Sequence, residues 1–169
     1  YKAVYCAHKL LAAARVSEHV RSRLFLIGQG ASWVADPTEP TIVDRYPARC
    51  HEPVFGAQYY GILARSKTTL NIHPDSAENS AGNMRLYEAT GVGACLLTDW
   101  KDNLSDLFEP DVEVVTYRTV EECAEKARFL LDHEEKRQSI AHAGQQRTLR
   151  DHTSAQRVAQ LNEILRARL

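Results

Sequence analysis

Short apolar runs that alternate with helical patterns constrain the fold more than any other feature of this sequence. A helical pattern at 3–20 precedes a continuous apolar run at 24–27, and further strands are predicted at 68–72, 94–98 and 112–117. Continuous apolar runs are typical of strands that are covered on both faces of a parallel sheet. The alternation therefore predicts an α/β fold with a parallel sheet.

Helix signals fill the segments between and after these strands. A short helix is predicted at 57–65, while 29–53 is interpreted as mostly loop with a short strand at 41–43. Two capping-box patterns, Thr119-x-x-Glu122 and Thr153-x-x-Gln156, predict the starts of two C-terminal helices, with another helix at 134–150 between them. The first of these helices carries an inward stripe of Val120, Cys123, Ala127 and Leu130, and the last carries Val158, Leu161 and Leu165.

Composition bounds the class of protein. With 169 residues, 44% of them hydrophobic and 25% charged, the chain is large enough for one globular domain with its own core. A formal net charge of -1 favours neither nucleic acid nor a membrane surface as a partner. No apolar run approaches the roughly 20 residues of a membrane span, and no signal peptide is visible. Because the chain begins at Tyr1 within a helical pattern, we interpret it as a fragment of a longer protein.

The cysteines indicate a reduced, cytoplasmic protein. All four lie far apart and no CxxC pair exists, which disfavours a zinc site. Cys95 and Cys123 fall in apolar patterns and are expected to be buried.

Two polar loops, at 28–36 and 73–83, follow predicted strands, where ligands of parallel sheets bind. The second loop leads to a helix of about two turns that Asn83 is expected to cap, and its first amides attract anions. Arg85, in the first turn, would bind a phosphate, and Glu88, one turn later, would accept hydroxyls of a ribose diol. On spacing alone, the simpler interpretation is an Arg85–Glu88 ion pair or a solvated glutamate.

The glycines Gly28 and Gly30 begin a pattern that resembles a dinucleotide fingerprint but does not complete it. Position 33 is Trp instead of the third glycine, and Pro37 and Pro40 interrupt the expected helix. An NAD-dependent enzyme is therefore disfavoured, while both glycines still permit close approach of a ligand to the backbone.

His73 and Asp99 each follow a predicted strand directly. His73 could contact a phosphate or a sugar, and a loop-stabilising role is equally expected. Asp99 could touch a ligand, although a turn-capping role is the simpler interpretation. No HExxH or HxH spacing predicts a metal site.

Several segments resemble the group 1 glycosyltransferases, in particular the branch related to spore-maturation glycosyltransferases. The resemblance covers roughly residues 53–160 and is carried by the segments 59–73, 83–89 and 91–99, with Leu107-Phe108-Glu109-Pro110 and His152-Thr153. It implies a bacterial-type, hexosyltransferase-like enzyme of GT-B architecture, in which two Rossmann-like domains face a cleft. By this resemblance the chain would be the C-terminal domain, a Rossmann-like three-layer domain with a parallel sheet, which binds a nucleoside-diphosphate sugar without a required metal. The helix at 151–169 would pack on a missing N-terminal acceptor domain, and the fragment alone would be inactive.

The resemblance also implies roles for individual residues. Glu88 would contact the donor ribose, while Ser80, Asn83 and Arg85 would hold the diphosphate; the segment Val54-Phe55-Gly56 would lie beside the nucleobase. The chain departs from related retaining enzymes, which carry two glutamates separated by seven residues, because Ser80 stands at the first of these positions and Glu78 lies two residues early. The catalytic residues, the sugar, the base, the acceptor and the stereochemical outcome thus remain open, as does the alternative of a non-catalytic α/β regulatory or scaffold module.

Overall fold

Three parallel strands form the centre of the computed structural model, which describes residue 44 and residues 46–168. β1 (Thr68–Asn71), β2 (Cys95–Asp99) and β3 (Val115–Tyr117) lie in the order β1-β2-β3. The register pairs Leu70 with Leu97 and Leu97 with Val115, and both pairings are parallel. The predicted parallel α/β fold is confirmed.

The helices of residues 46–168 occupy the positions that the sequence patterns predict, except for the short helix at Leu104–Leu107, which was not predicted. They are α1 (Ala57–Arg65), α2 (Met84–Gly91), α3 (Leu104–Leu107), α4 (Val120–Asp132), α5 (Glu134–Asp151) and α6 (Ser154–Arg168), with 3-10 turns at Pro47–Arg49 and Asp75–Ala77. The predicted helix at 3–20, the strands at 24–27 and 41–43, and the candidate residues Gly28 and Gly30 lie outside the described residues.

Helices cover both faces of the sheet. Successive side chains of β2 point to opposite faces and therefore enter two separate cores. Leu96 belongs to a core on the α2 and α3 side, with Ala81, Leu86, Ala89, Ala94, Leu104, Phe108 and Val114. Cys95 and Leu97 belong to a second core on the α4 and α5 side, with Val115, Tyr117, Cys123, Leu130 and Ile140. Cys95 and Cys123 are both buried, as predicted. The described residues therefore form a Rossmann-like three-layer arrangement.

Both predicted capping boxes contribute hydrogen bonds to helix starts. Thr119 Oγ1 accepts a hydrogen bond of 3.1 Å from the amide of Glu122. The Glu122 carboxylate in turn accepts one of 2.7 Å from the amide of Arg118, and this bond is the main reason why the pKa of Glu122 is lowered. At α6, Gln156 Oε1 accepts a 2.7 Å bond from the amide of Thr153.

The third strand is shorter than predicted. The sequence predicts a strand over 112–117, but β3 begins at Val115, since the chain turns just before it. The amide of Glu113 donates to the carbonyl of Glu109 at 2.8 Å, and Asp111 adopts a φ of 60°. Val112 is thereby placed in a turn, where its side chain is exposed. Because Val112 is apolar but lies in a tight turn, the apolar pattern predicts a longer strand than the structure has.

Candidate functional site

The loop at 73–83, which leaves β1 and enters α2, is fastened by residues that follow β2. Asn103 Oδ1 accepts a 2.6 Å hydrogen bond from the amide of Ala81, and Asn103 Nδ2 donates to the Ala81 carbonyl at 3.1 Å. Lys101 Nζ donates to the carbonyl of Glu78, whose φ is 47°. These bonds fix the backbone that precedes α2 at the carboxyl edge of the sheet.

His73, which is buried, and Asp99, which is partly exposed, form a pair at the ends of β1 and β2. Asp99 Oδ1 lies 2.7 Å from His73 Nδ1 and accepts a 3.0 Å bond from the His73 amide. Burial raises the pKa of Asp99, but the His73 hydrogen bonds and the charge of Lys101, 3.6 Å away, hold it below its ordinary value. The His73 side chain is fully buried, and its Nε2 has no hydrogen-bond partner among the described residues. The described contacts thus give His73 the loop-stabilising role, and its contact with a ligand stays a prediction.

Asn83 stands at the N-cap position of α2, but its side chain does not cap the helix as expected. Asn83 and Asn71 instead exchange amide hydrogen bonds of 2.8 and 3.1 Å, because Asn71 ends β1 next to the helix start. Asn71 also donates to Thr98 Oγ1 at 3.0 Å, and its carbonyl accepts from the Tyr117 hydroxyl at 2.9 Å. The expected capping bond is therefore wrong, and the Asn83 side chain leaves the first-turn amides of α2 uncapped.

Arg85 and Glu88 do not form the ion pair that spacing alone suggested. Within residues 46–168, no ion pair joins the two side chains, and Arg85 Nε is buried without a hydrogen-bond partner. Glu88 Oε2 instead accepts a 2.8 Å hydrogen bond from the hydroxyl of Tyr59, and Oε1 lies 3.5 Å from the hydroxyl of Tyr60. Both tyrosines belong to α1, so the carboxylate links α1 to α2.

The environment of Tyr59 is electrostatically unusual. Burial and the hydrogen bond to Glu88 raise the pKa of the Tyr59 hydroxyl above its ordinary value, and Arg85 acts in the opposite direction. A raised pKa keeps this hydroxyl protonated, so that it remains a donor to the carboxylate.

Other residues predicted for the site lie at the surface. Ser80 is exposed in the loop, where its amide donates to the Ala77 carbonyl at 2.9 Å. Phe55, from the segment expected beside a nucleobase, is 66% exposed and lies two residues before the start of α1. An exposed aromatic ring at this position is free to stack on a ligand.

Several residues that organise the site were missed by the sequence interpretation. Asn71 is 1% exposed, and Lys101 and Asn103 hold the loop through side chain to backbone bonds. Only Asn71 gave a signal, since an asparagine within a strand that is predicted to be covered on both faces needs buried hydrogen-bond partners. The bonds from Lys101 and Asn103 depend on the distance between two loops, which the sequence does not encode locally.

Two searches of the described part of the chain are negative. It contains no group of three or more His, Cys, Asp or Glu residues arranged to hold a metal ion. No helix within residues 46–168 combines the length and apolar character that crossing a membrane requires.

The fold thus defines a Rossmann-like α/β domain whose polar side chains converge at the carboxyl edge of a parallel sheet. A family model described as glycosyl transferase-like matches residues 7–163. The chain belongs to this glycosyl transferase-like family. None of the curated proteins gives a significant match.

Proposed function

We propose that this chain is the donor-binding domain of a GT-B glycosyltransferase and binds a nucleoside-diphosphate sugar at the carboxyl edge of its sheet. The observation that carries the proposal is that Arg85 and Glu88 lie on the first two turns of α2 but form no ion pair with each other within residues 46–168. A cation and a carboxylate that face one site, but do not neutralise each other, suit a ligand with a diphosphate and a diol.

The start of α2 is the proposed diphosphate site. Its first amides are not capped by the Asn83 side chain, and they carry the partial positive charge of a helix N-terminus. The buried Nε of Arg85 lies in the same turn and has no hydrogen-bond partner within residues 46–168, so a phosphate oxygen would satisfy it. Ser80 and Asn83 are the neighbouring groups that we assign to the diphosphate, and no metal ion is required in this proposal.

Glu88 is the proposed ribose site. A carboxylate accepts two hydroxyl hydrogen bonds, and the hydroxyls of Tyr59 and Tyr60 already meet its two oxygens. This geometry supports the proposal, because a ribose diol would present hydroxyl donors of the same kind. The exposed Phe55 is assigned to the nucleobase, and His73 to the sugar or phosphate side.

The remaining parts of the enzyme lie outside this domain in our proposal. An N-terminal acceptor domain would complete the GT-B cleft, and the exposed apolar side chains of α6, among them Val158, Leu161 and Leu165, would pack on it. The chain by itself would bind the donor without transferring the sugar. We further assign it to the spore-maturation-related branch and to the cytoplasm.

Thermal unfolding of the full chain with UDP, GDP and dTDP tests donor binding. A ligand at one hundred times its Kd stabilises the folded state by about 2.7 kcal/mol. For a chain of this size, each kcal/mol raises Tm by roughly 2 to 4 °C. We expect at least one nucleoside diphosphate to raise Tm, and Glu88→Ala to weaken its binding by about tenfold or more, because a hydrogen bond to a charged group is lost.

The matched control is Glu125→Ala, which removes an exposed glutamate from α4 on another part of the domain. We expect this variant to bind as tightly as the original chain. If none of the three ligands shifts Tm, or if both alanine variants bind equally well, the donor-site assignment is wrong and a non-catalytic α/β module becomes the better description.

A further inference from the structure

The hydroxyls of two consecutive tyrosines contact the same carboxylate at different distances. The Tyr59 hydroxyl donates to Glu88 Oε2 at 2.8 Å, and the Tyr59 side chain is half-buried. The Tyr60 hydroxyl lies 3.5 Å from Glu88 Oε1, at the limit of a hydrogen bond, and Tyr60 is 42% exposed. One oxygen of Glu88 is therefore firmly held, and the other is weakly contacted at the surface.

We propose that Tyr59 is a positioning residue that fixes the Glu88 carboxylate for a ribose diol, and that the ligand displaces the Tyr60 hydroxyl from Glu88. This inference rests on the proposed donor site and assigns to Tyr59 the selection of ribose over 2′-deoxyribose. Tyr59 need not touch the nucleotide, because it acts through Glu88.

The physical reason lies in the freedom of a glutamate side chain. The terminal torsion of glutamate is broad, so an unrestrained carboxylate samples many orientations. Ordering such a side chain on binding costs free energy, and a carboxylate that is already held loses less. The edge-to-face contact between the two tyrosine rings, with centroids 5.3 Å apart, adds to the rigidity of this arrangement. Oε1 and the second lone pair of Oε2 then remain for the ligand.

The test compares two variants that each remove one oxygen atom from neighbouring positions of α1. For Tyr59→Phe and Tyr60→Phe, the Kd of UDP is compared with that of dUDP by calorimetry, with the pairs GDP and dGDP, and ADP and dADP, as further probes. We expect the original chain to prefer the ribonucleotide by about tenfold, the value of one hydrogen bond to a charged group. Tyr59→Phe should reduce this ratio to about two, whereas Tyr60→Phe should keep the ratio and bind up to about threefold more tightly.

The ratio separates a positioning role from a merely structural one. A structural effect of Tyr59→Phe would weaken both members of a nucleotide pair by the same factor and leave the ratio unchanged, which overturns the inference. If Tyr60→Phe lowers the preference for the ribonucleotide and Tyr59→Phe does not, the inference is also overturned, because the two roles would then be exchanged.

A second measurement covers the case in which Tyr59→Phe does not fold. 3-Fluorotyrosine is placed at position 59 or at position 60, which keeps both hydroxyls, and fluorine NMR is recorded as UDP is added. We expect a large shift at position 60 and a small one at position 59, and the reverse pattern contradicts the inference.

Failure of the proposed function leaves a different signature. If no nucleoside diphosphate binds, both proposals are wrong. If nucleotides bind and Glu88→Ala removes the ribose preference, but Tyr59→Phe retains it, the donor site stands and only the role of Tyr59 is wrong.

Discussion

Asp99 receives two hydrogen bonds from one residue, the ring and the amide of His73, in a site from which most water is excluded. Bonds of this kind to an ionised carboxylate are stronger than neutral ones. Because they lower the pKa of Asp99 against the opposing effect of burial, they stabilise the fold only while Asp99 is ionised. The stability is fully present above the unfolded pKa, near 3.8, and is lost as the pH falls through the lower folded pKa.

Asp99→Asn should therefore destabilise the chain at neutral pH but not in acid. We expect the free energy of unfolding at pH 7 to fall by about 1 to 2 kcal/mol. The difference from the original chain should shrink as the pH is lowered below 3.8. Urea unfolding across this range measures it, with the exposed Asp102→Asn as a control that should change stability by less than about 0.5 kcal/mol. A difference that is constant with pH would show that the charge of Asp99 does not stabilise the loop.

Helix α5 approaches the segment before β3 so closely that only glycine fits at one position. A Cβ atom added to Gly144 would lie 2.3 Å from the carbonyl oxygen of Glu113, which belongs to the backbone and cannot turn away. Nearby, the hydroxyls of Thr90 in α2 and Thr148 in α5 meet at 2.6 Å. The close contact between these elements thus depends on a missing side chain and on one buried polar pair.

Gly144→Ala should destabilise the chain although alanine is the better helix former. We expect a loss of roughly 1 to 3 kcal/mol, since the clash with the Glu113 carbonyl forces the backbone to shift. The control is Gly61→Ala in α1, where the new Cβ would meet only the end of the flexible Arg65 side chain, at 3.3 Å. This variant should gain up to about 1 kcal/mol. Equal effects in denaturant unfolding would contradict the close packing of α5.

At the scale of helices and strands, the sequence predicts the elements better than the contacts between them. The extent of α2 followed from Asn83 at its start and from Gly91 and Gly93 at its end, and the start of α4 followed from Thr119, because these signals act within a few residues. The bonds of Asn83 to Asn71 and of Glu88 to Tyr59 join positions 12 and 29 residues apart, and they displaced the local interactions predicted for both side chains. Resemblance singled out Glu88, but nothing in the spacing pointed to Tyr59 as its partner.

Across the whole molecule, α6 differs from every other described helix of comparable length, because none of its side chains is buried. Val158, Leu161, Ile164 and Leu165 are 49–66% exposed and share one face, as their spacing of three and four residues requires. The helix start is nevertheless anchored, since Arg157 Nη2 lies 2.7 Å from Nδ1 of His152, whose Nε2 meets the carbonyl of Leu107 at 2.8 Å. The anchor fixes where α6 begins while its apolar stripe contributes little to the core of this domain.

Leu161→Asp should accordingly leave the stability of the chain nearly unchanged. Since Leu161 is 55% exposed, we expect Tm to change by no more than about 2 °C, which corresponds to the 0.5 kcal/mol typical of surface positions. The matched change Ile140→Asp, at a position that is 3% exposed, should abolish cooperative unfolding, because an unpaired charge would be buried. If α6 packs on an acceptor domain as proposed, a longer protein that contains both domains should lose several degrees of Tm with the same Leu161→Asp change. A large loss in the chain alone would instead mean that the stripe is covered within this domain, and an unchanged two-domain protein would remove the reason to assign α6 to the interface.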